Sequence, residues 1–276
     1  GCIGLLGPNG AGKSTLIKAL LGFIEPAAGG GKVFDHDITT DGLWIRMNVG
    51  VMPELDCYIP GLTAVEYTAF AGELAGMPRE HAMRRAHEVL EYCGLGEARY
   101  RNLETYSTGM KQKAKLAQAI VHGPKLLFLD EPTNGLDPAG RDEMLALVKD
   151  ISHGKGVNIV VSSHLLPDIE RTCDFVIMMN RGRVRAQNTV DQLRQIAVVQ
   201  WDVELKLESP EFAKAVEDRG GRLVSQRYNE YRLEFPTADG NPTQKIFVAA
   251  REAGAQIRIL DQAQRTLEDA FMEAVS

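Results

Sequence analysis

The 276-residue chain has four cysteines, at positions 2, 57, 93 and 173, and they form no C-x-x-C pair. Neither a zinc site nor a disulfide framework is indicated. A reduced, cytoplasmic protein is the simplest reading. No apolar run reaches the roughly eighteen residues that a membrane-crossing helix needs. The start carries no secretory leader pattern. Basic residues do not dominate: 31 Lys and Arg stand against 37 Asp and Glu, a net charge of -6, so the charge does not point to nucleic acid. What remains is ordinary for a globular protein, with 44% hydrophobic and 25% charged residues. The length suits one large domain or two ordinary ones.

Against that background one stretch stands out. Gly7-Pro8-Asn9-Gly10-Ala11-Gly12-Lys13-Ser14-Thr15 has the spacing of a phosphate-binding loop: Gly, four residues, Gly-Lys-Ser. Before it, the apolar run from Cys2 to Leu6 predicts a buried strand, and after it Leu16 to Leu21 predicts a helix closed near Gly22. Strand, glycine loop and helix together are the context this motif requires. The glycines let successive backbone N–H groups converge on an anion, and the helix N-terminus adds partial positive charge at the same point. Lys13 is expected to reach the β- and γ-phosphates and the Ser14 hydroxyl to ligand Mg²⁺. A nucleotide domain also needs something to cover the first strand and hold the base, so a further N-terminal piece is expected before residue 1.

Later segments supply matching parts. Val49 to Met52 predicts a short strand, ended by Pro53 and delivering Glu54. Thr63-Ala64-Val65-Glu66 is a capping box, opening a helix that runs to about Ala75. A second helix is expected from Arg79 to Cys93, with Met83, Ala86, Leu90 and Cys93 on one face. Leu126 to Leu129 is continuously apolar, as a central parallel strand should be, and ends in Asp130-Glu131. A helix from Asp142 to Asp150 separates it from the strand Val157 to Val161, which ends in Ser162-Ser163-His164. A hairpin follows around Asn180 to Arg183. Polar residues at the C-terminal ends of such strands are where α/β sheets bind ligands. After Gln200 the pattern changes to β-α-β-β-α-β, a small ferredoxin-like unit, with a last helix from Thr266 to Ala274.

Asp130 is expected to hold Mg²⁺ through its water shell, since Mg²⁺ prefers oxygen ligands and keeps waters. Glu131 is placed to act as general base on an attacking water. Tyr106-Ser107-Thr108-Gly109-Met110 precedes a helix from about Lys111 to Val121, where a hydroxyl, a glycine and a helix N-terminus make a second anion site. By itself that pattern reads better as an ordinary Ser-capped helix; its place shortly before the Asp130-Glu131 strand reverses the preference in favour of the anion site. His164, at a strand end, reads as a sensor of the γ-phosphate.

With these residues in hand, the sequence resembles the nucleotide-binding subunits of ATP-binding cassette transporters over roughly residues 1 to 195. The resemblance implies an α/β P-loop NTPase cassette with a mostly parallel sheet, a helical subdomain at about 60–122 and an accessory α+β domain at 200–276. It makes Gly7 to Ser14 the Walker A loop, Leu126 to Asp130 Walker B, and Glu131 the catalytic carboxylate. Ser107 and Gly109 belong to the signature, Asp137 to the D-loop, and His164 is the switch histidine. The implied ligands are ATP and Mg²⁺. Implied partners are an integral membrane permease and a second copy or a paralogous cassette, facing head to tail so that one signature caps the γ-phosphate held by the other Walker A. No nucleic acid is expected, and the implied location is the inner face of the cell membrane.

Three features depart from the common family pattern. Glu54 stands where Gln is usual, adding a carboxylate that can ligand Mg²⁺. The signature is Ser-Thr-Gly-Met; with Thr266 to Phe271 it resembles a branch that pairs with separately encoded, exporter-type membrane subunits. The aromatic that stacks on adenine lies upstream of Walker A in the family and is absent from this sequence. Two rival readings remain. A soluble cassette acting on ribosomes or DNA would carry two cassettes per chain or a long inserted coiled coil, and the sequence has neither. A non-hydrolysing regulatory module is opposed by the presence of Lys13, Asp130, Glu131 and His164.

Overall fold

The computed structural model describes residues 1–194, 198–236 and 241–263. They fall into two compact units, divided between Val190 and Asp191.

The first unit is built on a six-stranded sheet. Its elements in chain order are β1 (Cys2–Leu6), α1 (Lys13–Leu20), β2 (Lys32–Val33), β3 (His36–Asp37), α2 (Gly42–Asn48) and β4 (Val49–Met52). Then come α3 (Ala64–Leu74), α4 (Arg79–Tyr92), α5 (Thr108–Ile120), β5 (Leu126–Asp130), α6 (Pro138–Lys149), β6 (Asn158–Ser163), α7 (Leu166–Thr172), β7 (Phe175–Asn180) and β8 (Arg183–Thr189). The sheet order is β4-β5-β6-β1-β7-β8. All neighbours are parallel except β7 and β8, which form the expected hairpin.

This order positions the site. The four strands whose C-terminal ends carry the polar residues, β4, β5, β6 and β1, are adjacent in the sheet. Register aligns the ends as well. Leu6 pairs with Ser163, and Asp130 pairs with Ser162, so the glycine loop, Glu131 and His164 all leave the sheet at one level. β1, β5 and β6 are apolar and largely buried, as interior parallel strands require. α5 crosses β4 very closely: a Cβ added at Gly50 would lie 2.0 Å from the Ala119 carbonyl oxygen, so only glycine fits there.

Helix boundaries follow local chemistry. The Thr63 and Glu66 capping box is formed, with Thr63 N donating to Glu66 Oε2 at 2.9 Å and Glu66 N to Thr63 Oγ1 at 3.3 Å. In α4 the buried face is Ala82, Ala86, Val89 and Leu90, while Met83 is only half-buried. α5 begins at Thr108, three residues before the expected Lys111, because the Ser107 hydroxyl accepts from Met110 N and makes Thr108 and Gly109 part of the first turn. α6 begins at Pro138, ahead of the expected Asp142, because Asp137 caps it and proline suits the first helical position. α2 and α7 are absent from the sequence reading. In α2 only Ile45 is buried, so no apolar period marks it.

The turn of helix α8 (Val190–Arg194) straddles the division, and the second unit continues with β9 (Val198–Leu205), α9 (Pro210–Glu217), β10 (Arg222–Arg227), β11 (Glu230–Pro236), α10 (Pro242–Glu252) and β12 (Ile257–Ala263). The sheet order β10-β11-β9-β12, with every neighbouring pair antiparallel, is that of a ferredoxin-like β-α-β-β-α-β unit. Phe212, Tyr231, Leu233, Phe235 and Ile246 fill its own core. The helix expected from Thr266 to Ala274 lies outside the described residues.

Candidate functional site

The glycine loop leaves β1 and turns into α1 through Gly12, whose φ of +100° is left-handed and suits glycine. No side chain caps α1 at this end, so its first N–H groups face the space above the loop. Residues 9–15 line a cleft of about 500 Å³ together with Glu54, Glu131, Asn134 and His164. The cleft therefore unites residues from the ends of all four adjacent strands. Gly7 and Pro8 lie beneath it; their carbonyl oxygens accept from Lys13 Nζ at 2.8 and 3.5 Å.

Lys13 is 6% exposed, and its ammonium is 3.5 Å from Glu131 Oε1. Glu131 has a backbone φ of +49°, rare for a side chain with a Cβ. Strain of this kind persists where the surroundings over-determine the conformation. Here Glu131 N donates to Ser162 O at 2.9 Å, and Asn134 N donates to Glu131 O at 3.1 Å. The twist turns the carboxylate into the cleft, where Oε2 lies 2.9 Å from His164 Nδ1. A proton on Nδ1 leaves Nε2 of the neutral ring an acceptor. Donation from that ring to a phosphate then requires it either to carry both protons or to give up Glu131.

Asp130 sits behind Glu131, 9% exposed, and its Oδ1 has no hydrogen-bond partner among the described residues. A buried oxygen left in this way costs about 1–3 kcal/mol unless something else satisfies it. Asp130 itself does not line the cleft, whereas Ser14 and Glu54 do; all three offer oxygen, the donor type Mg²⁺ prefers. Among the described residues no three His, Cys, Asp or Glu side chains are close enough to hold a metal unaided. That matches the habit of Mg²⁺, which takes one or two carboxylates and completes its shell with phosphate oxygens and water.

Ser107, Gly109 and Asp137 stand apart from the cleft. Ser107 is exposed at the start of α5. This end of α5 rests on the loop after Glu131: Gln112 Nε2 donates to Asn134 O at 3.0 Å, and a Cβ at Gly109 would touch Leu136 at 3.7 Å. Asp137 is also exposed and caps α6, accepting from Gly140 N at 3.2 Å.

Sequence reading misses the brace behind the cleft. Asp168, on α7 four residues after His164, is 1% exposed. It accepts from Thr133 Oγ1 at 2.5 Å and from Arg141 Nε at 2.6 Å. It thereby joins the loop after Glu131, helix α6 and the segment after His164. Only its burial distinguishes it from a surface aspartate, and burial is a tertiary property. Replacing Asp168 by alanine leaves the Arg141 guanidinium without its buried partner. The expected loss of folding stability is about 3 kcal/mol, read as a lower midpoint of denaturant unfolding. An unchanged midpoint would remove the brace.

Strand, glycine loop, helix, an acidic strand end and a histidine after the next strand define a P-loop nucleotide-binding cassette. Residues 1–134 match the ABC transporter family. The chain is 31% identical to the uncharacterized ABC transporter ATP-binding protein YxlF of Bacillus subtilis (strain 168), over 99% of this chain and 90% of that protein. It is 38% identical to the daunorubicin/doxorubicin resistance ATP-binding protein DrrA of Streptomyces peucetius, over 69% of this chain and 58% of that protein. Among solved structures it resembles an ATP-binding subunit of an ABC transporter, with a TM-score of 0.62 and 32% identity, covering 70% of this chain and 80% of that one. The chain belongs to the ABC transporter family, as an ATP-binding cassette, and the cassettes of this family are ATPases.

Proposed function

We propose that this cassette binds and hydrolyses ATP to drive export through a separate membrane permease, acting as a pair of cassettes on the inner face of the membrane. The observation that carries the reading is a division of the motifs. Loop residues 9–15, Glu54, Glu131 and His164 share one cleft, whereas Ser107, Gly109 and Asp137 lie outside it. A signature that cannot reach its own cleft is available to a second cassette's. The drug-resistance name of DrrA and the signature Ser107-Thr108-Gly109-Met110 support the exporter type. No helix among the described residues is long and apolar enough to cross a membrane, and in this reading the separate permease supplies the pathway for cargo.

In this reading the loop N–H groups and Lys13 hold the β- and γ-phosphates, and Glu131 accepts the proton of the attacking water. His164 orients Glu131 through Nδ1 in the nucleotide-free cleft and gives up that contact to donate to the γ-phosphate when ATP is bound. Ser14, Asp130 and Glu54 would hold Mg²⁺, which when bound neutralises charge on the phosphates. Ser107 and Gly109 of the second cassette close the site with a helix N-terminus. The purified chain should hydrolyse ATP, co-purify with a multi-span membrane protein and turn over faster with it. Absence of ATPase activity both alone and with that partner would overturn the reading.

Glu54 gives a sharper expectation. A carboxylate there binds Mg²⁺ more strongly than an amide but repels the γ-phosphate when no metal intervenes. Glu54→Gln should leave ATP binding nearly intact and raise the Mg²⁺ concentration needed for half-maximal hydrolysis. Permease-stimulated turnover should change more than basal turnover. Superimposable Mg²⁺ titrations of parent and variant, with and without the permease, would leave Glu54 with no role.

A further inference from the structure

The loop that carries Glu54 has little of its own to hold it. Residues 54–57 are exposed and belong to no helix or strand, and Leu55 is 78% exposed. Apart from Cys57 Sγ, 3.3 Å from the Tyr67 hydroxyl on α3, what fixes the loop comes from α5. Lys115, with 5% of its side chain exposed, donates through Nζ to Pro53 O at 3.1 Å and Glu54 O at 2.9 Å. The same ammonium lies 3.7 Å from Asp56 Oδ1. One turn earlier on the same helix face, Lys111 Nζ is 3.5 Å from Asp56 Oδ2 and donates to Tyr58 OH at 3.3 Å.

A lysine is a costly choice at position 115. Burial disfavours the ammonium and pushes its pKa down, with Asp56 opposing that shift. An unbranched apolar side chain of similar length would fill the space without desolvating a charge. Packing alone therefore does not account for the residue; its hydrogen bonds to the two carbonyl oxygens do. Their geometric consequence is specific. Glu54 Oε1 lies 3.5 Å from Asn134 Nδ2 across the cleft. Lys115 holds the Glu54 side of that contact by its backbone, and Gln112, on the same helix, holds the Asn134 side by its backbone. Both holds belong to the helix that begins at Ser107.

We propose that Lys115 is a positioning residue for Glu54, locking the Glu54 backbone to α5 so that the Glu54 carboxylate and the helix beginning at Ser107 move as one body. This rests on the reading of Glu54 as the carboxylate that faces the metal.

Lys115→Met keeps the length and removes the donors. In the nucleotide-free protein, limited proteolysis within residues 54–58, outside any helix or strand and already exposed at 54–57, should speed up by about tenfold once Lys115 no longer holds the loop. The Mg²⁺ midpoint for ATP binding should rise by about tenfold, in the direction of Glu54→Gln. Turnover should fall more at limiting than at saturating Mg²⁺. The Lys115→Met, Glu54→Gln double variant should show no further rise in midpoint, since the two changes act on one carboxylate. If Lys115→Met does not fold, Lys115→Arg, which keeps the charge but alters the donor geometry, should show smaller shifts of the same sign.

Unchanged proteolysis within residues 54–58, or fully additive midpoints in the double variant, overturns the proposal. So does a Lys115→Met midpoint equal to the parent's in a protein where Glu54→Gln does shift it, and that result leaves the metal-facing reading of Glu54 standing. No shift from Glu54→Gln itself overturns that reading, and the role of Lys115 falls with it.

Discussion

Replacing Glu131 by glutamine should cut ATP hydrolysis by about 10²–10⁴-fold while ATP remains bound. The amide matches the carboxylate in shape and keeps the backbone turn at φ +49°, which is pinned by Ser162 O and Asn134 N rather than by the side chain. What it lacks is a basic oxygen to take the proton from the attacking water. Binding should be spared because the phosphates are held by the loop N–H groups and Lys13. Removing one negative charge from a cleft that also holds Glu54 lowers the repulsion felt by ATP. Single-turnover and steady-state ATPase assays check this, together with an ATP-binding isotherm. Turnover equal to the parent's would displace Glu131 from the role of base.

Lys13→Ala should act on the other term. Its ammonium is buried and donates to Gly7 O at 2.8 Å, with Glu131 Oε1 at 3.5 Å, so it is already desolvated and aimed along the loop. Turning to a phosphate replaces a neutral acceptor with a charged one. A charge-assisted contact of that kind is worth about 1.5–3 kcal/mol, or about one to two orders of magnitude in ATP affinity. The alanine variant also leaves the cleft carboxylates without their internal cation, which adds to the loss. Calorimetric titration with ATP measures it, and an isotherm matching the parent would refute the phosphate role.

Both residues are legible in the sequence because their signals are local. The glycine loop needs a fixed spacing between an apolar run and a helix. Asp130 and Glu131 need only to follow a buried strand. The Thr63 to Glu66 capping box is complete within four residues. The β-α-β-β-α-β order of the second unit can likewise be read from alternating patterns. Tertiary information is not legible in this way. α7 has Pro167 in its first turn and buries only Asp168, Ile169 and Thr172, too little to set a period. Lys115 reads as one more lysine in Lys111-Gln112-Lys113-Ala114-Lys115, a run suited to a solvated face. Lys113 does point outward, pairing with Glu143 at 2.6 Å, whereas Lys115 turns inward to the Glu54 loop. Only the packing of that loop on α5 tells them apart.

The position of Ser107, Gly109 and Asp137 outside the cleft makes the shared site the central claim, and the Glu131→Gln protein is the means to test it directly. Analytical sedimentation of that variant is measured with and without ATP and Mg²⁺. With ATP it should run as a dimer that retains two nucleotides, without ATP as a monomer, and Ser107→Arg should abolish the dimer while leaving ATP bound to each monomer. A variant that stays monomeric at saturating ATP, or whose dimer is indifferent to Ser107→Arg, would contradict a site shared between two cassettes.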